Sequence, residues 1–158
     1  MILSEEILIM GNLCSIGKGA QFNFAPTVVT TIEPGQTFMF NQHFQNNTKV
    51  FERCGDREFF IFNNLNTDKI WLRKPGRYTF AVTVDTTPAD NTVVSIINEA
   101  NQADIPLYTG TNGTVSLFVP EGDSIVRLKN TGTTAIVLTP GTNLQIPLVI
   151  LCITYEGV

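Results

Sequence analysis

The segment Ile70 to Asp85, IWLRKPGRYTFAVTVD, leaves this chain little choice of secondary structure. Tyr78, Phe80, Val82 and Val84 alternate with Thr79, Ala81, Thr83 and Asp85. A period of two puts the first set on one face of a strand, against a core, and the second set on the other. Ahead of it, Lys74-Pro75-Gly76-Arg77 predicts a turn: proline presets φ at the second position and glycine accepts a positive φ at the third.

The same grammar recurs along the chain. Strands are expected at Thr27 to Ile32, Thr37 to Phe44, Glu58 to Phe62, Ile70 to Arg73, Arg77 to Val84 and Thr92 to Asn98. Further strands are expected at Gly113 to Val119, Ser124 to Lys129, Thr134 to Thr139 and Pro147 to Tyr155. Turn residues separate them, among them Pro34-Gly35, Asn63-Asn64, Pro120-Glu121-Gly122-Asp123 and Pro140-Gly141. No window holds apolar residues at helical spacing, so the expected fold is all-β, an antiparallel sandwich or barrel.

At 158 residues the chain fits one domain. Only 15% of its residues are charged, against about a quarter in ordinary globular chains. Its surface is therefore neutral, rich in Asn, Thr, Gln and Gly, as suits a protein buried in an assembly or displayed outside a cell. A net charge of −4 argues against nucleic-acid binding, which needs a basic field. Met1 to Leu13 is not a secretory signal, because Glu5 and Glu6 stand where basic residues belong, and no stretch has the length of a membrane span.

Residues Met1 to about Ala20 differ from the rest: the apolar run Ile7, Leu8, Ile9 and Met10 precedes a flexible Gly17-Lys18-Gly19. Two readings stand open, an anchoring arm ahead of a domain at 21–158 or a first strand of that domain. Phe59 to Phe62 and Leu148 to Ile153 are apolar on both faces, which calls for a second cover beyond the core, most simply another copy of the chain.

Gly76-Arg77-Tyr78-Thr79-Phe80 resembles a strand of the C1q and tumour-necrosis-factor-like jelly rolls. Thr114 to Thr139, TVSLFVPEGDSIVRLKNTGTTAIVLT, is similar to the C-terminal domain of bacterial spore-surface collagen-like glycoproteins, and bacteriophage virions use similar trimers as decoration proteins and fibres. The closing strand, Leu148 to Tyr155, matches a terminal strand that in that family lies near the threefold axis of a homotrimer. The resemblance implies a jelly-roll homotrimer whose interface includes Phe60, Phe62, Leu148, Ile150 and Cys152. No Gly-X-Y repeat precedes the domain, so no collagen stalk is carried over.

Catalytic chemistry has little to draw on. His43, the single histidine, lies in an amide-rich stretch without a nucleophile motif, and the acidic residues are spread singly. Cys14, Cys54 and Cys152 form no CxxC and no zinc set; Cys152 reads as a buried apolar residue, and Cys14 with Cys54 as an open pairing. No cofactor is implied, although Asp85, Asp90, Asn91 and Asp123 offer hard oxygen ligands without a calcium-loop spacing. The expected function is a non-enzymatic structural protein on a virion or spore surface, held to capsid or coat protein by its arm. The alternative is a receptor- or glycan-binding trimeric module, with Trp71 as the stacking platform.

Overall fold

The computed structural model describes residues 19–45, 59–62, 65–86, 92–100, 103–109 and 112–157. The arm residues Ile7, Leu8, Ile9 and Met10, with Cys14, Cys54, Asp90 and Asn91, lie outside them.

Three antiparallel sheets contain all the described strands. The first sheet combines β1 (Gly19–Phe24), β3 (Gln42–Gln45), β6 (Gly76–Val84), β9 (Asn112–Val119) and β12 (Val149–Gly157), in the order β3-β1-β12-β6-β9. The second combines β4 (Phe60–Ile61), β5 (Ile70–Leu72), β7 (Val93–Asn98), β8 (Ala103–Thr109) and β10 (Ser124–Asn130), in the order β4-β5-β10-β7-β8. A two-stranded ribbon pairs β2 (Thr30–Ile32) with β11 (Ile136–Leu138).

Phe22, Tyr78, Phe80, Leu151 and Ile153 of the first sheet join Ile70, Leu72, Ile96, Val126 and Leu128 of the second in one apolar core, each fully buried. Burying a side chain of this size stabilises by about 1.5–3 kcal/mol, so the alternation along β6, β10 and β12 supplies much of the driving force.

The turn at Pro75-Gly76 does not make a hairpin. β5 belongs to the second sheet and β6 to the first, so the chain crosses between layers there. Gly76 has φ +144°, and a Cβ on it would stand 2.7 Å from both the Gly157 carbonyl oxygen and Tyr155 Cε1. Two tyrosines pin the crossing: Tyr78 Oη donates to the Lys74 carbonyl at 2.6 Å, and Tyr155 Oη to the Pro75 carbonyl at 2.9 Å.

Several strands differ from their sequence pattern. Over 37–41 the alternation persists, with Phe38 and Phe40 buried, but the backbone does not form a ladder. Phe38 N–H bonds the Leu128 carbonyl, Phe40 N–H that of Thr67 and Asn41 N–H that of Asn23. The segment thus passes from one sheet to the other, and regular pairing begins only at Gln42. β8 escapes the pattern because it contains Pro106; as an edge strand with a register shift opposite Val94 and Ser95, it tolerates the missing N–H. β1 is legible as Ala20, Phe22 and Phe24 alternating with Gln21 and Asn23, but it begins at Gly19, inside the glycine-rich span expected to be a flexible link.

In the apolar segment at Phe59 to Phe62, Ile61 stays 39% exposed, but Phe59 and Phe60 find their cover within the chain. Phe59 is buried against Tyr155, with ring centroids 4.8 Å apart, and Phe60 against Tyr78 at 6.1 Å. A second copy is not required to shield them.

Candidate functional site

The outward side of the first sheet is the surface on which the expected interface residues can meet. Strand register sets it out in rows: Gln42, Asn23, Ile150, Thr83 and Asn112 form one, and Gln21, Cys152, Ala81 and Thr114 the next. Gly19, Thr154, Thr79 and Ser116 follow, and then Arg77 opposite Phe118. Arg77 is the first charged side chain in these rows. The face arises because β6, β9 and β12 spend every second residue on the core and place small or hydroxyl residues at the positions between.

Its β1 side carries a chain of amides. Gln21 Nε2 donates to Asn23 Oδ1 at 3.1 Å, Asn23 Nδ2 to Gln42 Oε1 at 3.4 Å, and Gln42 Nε2 to the Gln145 carbonyl at 3.2 Å. Asn23, only 2% exposed, is thereby satisfied at the centre. Cys152 is a half-buried free thiol whose Sγ lies 3.9 Å from Gln21 Oε1, and desolvation raises its pKa.

Of the residues expected at an interface, Ile150 and Cys152 share this face as half-buried neighbours on β12. Phe60 and Leu148 are turned into the core, 3% and 8% exposed. Phe62 is half-buried against Phe22, at 5.2 Å between ring centroids, and against His43 at 5.0 Å. Sequence reasoning passes over Ala81, Thr83 and the half-exposed Phe118, whose only signal is being the polar or odd residue in an alternating strand.

Trp71 is elsewhere, half-buried on β5 of the second sheet, in register with Ile61 and Ile125. Asp85 and Asp123 are both exposed, and Asp123 is paired with Arg73 at 3.2 Å. Among the described residues no cluster of His, Cys, Asp and Glu has the makings of a metal site, and no helix is long and apolar enough to cross a membrane.

No family model matches the sequence, and no curated protein matches it. Solved structures do. The globular domain of zebrafish complement 1qA protein aligns with 87% of this chain and 96% of its own, with a TM-score of 0.52 at 9% identity. The Eiger TNF of S. frugiperda aligns with 88% of this chain and 92% of its own, with a TM-score of 0.51 at 10% identity. The fold is the jelly roll of the C1q and tumour-necrosis-factor type.

Proposed function

We propose that the chain is a non-enzymatic surface protein that works as a homotrimer, its copies meeting on the outward face of the β3-β1-β12-β6-β9 sheet. The observation that carries this reading is the chemistry of that face. Ile150 and Cys152 lie half-buried amid Ala81 and a field of Thr, Ser and amide side chains, with charge only at the two ends, Asp85 beyond Thr83 and Arg77 beyond Thr79. Interface centres are depleted in charge in the same way. A seam here takes Ile150 and Cys152 at its middle and leaves Phe60 and Leu148 to the core.

The role we assign to the trimer is display on a virion or spore particle, held to capsid or coat protein through the residues ahead of β1, since Gly19 and Ala20 belong to the sheet and Ala20 to the core. β1 runs from Gly19, opposite Thr154, to Phe24, opposite Val149, so the preceding segment joins at the end where Tyr155 pins the Pro75 crossing. Three arms on one trimer act at high effective concentration, so weak individual contacts suffice. A second reading, as a receptor- or glycan-binding module, is favoured by a cleft lined by Met39, Gln36 and Phe24.

Ile150→Asp tests the seam. Ile150 points away from the core, so the variant should keep β-type circular dichroism, while an unpaired carboxylate buried in each copy costs several kcal/mol after relaxation. Light scattering should give three times 17.4 kDa for the wild type and 17.4 kDa for the variant. A monomeric wild type, or a variant that stays trimeric, removes this face from the assembly.

A further inference from the structure

A cleft of about 520 Å³ opens where β2 and the segment before β3 meet β10. That volume lies in the range of small-molecule sites. Phe24, Ile32 and Met39 make its apolar walls, and Gln36, Thr37 and Arg127 its polar ones. Met39 is 59% exposed although its neighbours Phe38 and Phe40 are buried, so a large apolar side chain is held at the cleft instead of in the core.

The polar wall is built. Arg127 Nη2 meets Glu99 Oε1 at 3.3 Å, and its Nε, 3.7 Å from Asp68 Oδ2, is buried without a hydrogen bond. Asp68 Oδ2 in turn accepts from Thr37 Oγ1 at 3.0 Å. Gln36 commits its Oε1 to the Glu33 N–H at 2.7 Å, leaving its Nε2 donors for a ligand. Two carboxylates therefore already offset the one guanidinium, so an anion gains no net attraction there. The buried Arg127 Nε is out of a ligand's reach, so a neutral acceptor fits the Gln36 Nε2 donors, and a methyl or ring face fits Met39 and Phe24.

We propose that this cleft binds a neutral sugar bearing an N-acetyl group, with the methyl and the ring face against Met39 and Phe24 and the amide carbonyl toward Gln36 Nε2. A hydrocarbon would leave the Gln36 Nε2 donors unpaired, and a bare hexose would leave the apolar wall without its methyl partner. The site deepens the glycan-binding reading, and it lies within one chain, so it stands independently of the trimer.

The test is calorimetric titration of the full chain with N-acetylglucosamine, glucose and acetate, with light scattering on the same samples. Saturable millimolar binding of N-acetylglucosamine is expected, at least tenfold weaker for glucose and undetectable for acetate. Met39→Ala and Gln36→Ala, at exposed positions that leave the core intact, should each weaken binding at least fivefold. Ile150→Asp should bind as the wild type does, whatever its mass. The proposal is overturned by absence of saturation, by glucose or acetate binding as tightly, by either cleft variant leaving affinity unchanged, or by binding that disappears with assembly.

Discussion

Replacing Gly76 with alanine should be strongly destabilising. Two terms add. A side chain at φ +144° occupies backbone space open essentially to glycine alone, a strain of about 1–3 kcal/mol. The new Cβ would also sit 2.7 Å from the Gly157 carbonyl oxygen and 2.8 Å from Tyr155 Oη, and relieving such overpacking costs roughly 1–3 kcal/mol. Moving Tyr155 aside endangers its bond to Pro75 as well, worth about 1 kcal/mol. The total, roughly 3–7 kcal/mol, is a large share of the ~5–15 kcal/mol that holds a domain folded. Gly35 is the internal control: its φ is +90°, but a Cβ there meets nothing within 4 Å, so Gly35→Ala should cost the conformational term alone, about 1–2 kcal/mol. Urea unfolding followed by circular dichroism, at one protomer concentration because assembly is linked to stability, measures both. If the two variants differ by less than about 0.5 kcal/mol, the close approach of Tyr155 is not what requires glycine.

Asn130 is fully buried and bonds the carbonyls of Ile32 and Thr134 through Nδ2 and the Gly132 N–H through Oδ1. Asn130→Ala strands three backbone groups and should lower stability by about 3 kcal/mol in the same urea assay, with Asn130→Asp at least as damaging because it sets a carboxylate against two carbonyls. Burial is the main cause that pushes the Tyr78 phenol up to about 12 from 10, partly opposed by its bond to Lys74 and reinforced by Tyr155. The folded state therefore holds this proton more tightly than the unfolded one, and the stability it contributes is intact below pH 10 and lost as the pH rises through about 12. Tyr78→Phe should flatten that alkaline fall in unfolding free energy, and an unchanged slope would assign it to other groups.

The period-two residues of β6, β10 and β12 determine by themselves that this chain makes strands with one face on a core, because a strand exposes alternate side chains whatever it pairs with. Gly76 is legible for the same local reason, as the residue that must follow Pro75 in a turn. What sequence does not encode locally is which strands become neighbours. Whether β5 and β6 form a hairpin or cross between layers is settled by their pairing with β4 and β10 on one side and β9 and β12 on the other, most of them distant in sequence. The two tyrosine hydroxyls then hold Lys74 and Pro75 at the crossing. Phe38 and Phe40 keep their alternation while their N–H groups go to different partners, so burial is predictable and pairing is not. The candidate face shows the same division. Ile150 and Cys152 are marked by an apolar strand with too much hydrocarbon for one core, but Ala81, Thr83 and Gln21 become their neighbours only through the register of β1, β12 and β6. The cleft is invisible to sequence altogether, since Met39, Gln36 and Arg127 each read as ordinary surface residues until the crossing at 37–41 and the Asp68 and Glu99 pairs of Arg127 bring them together.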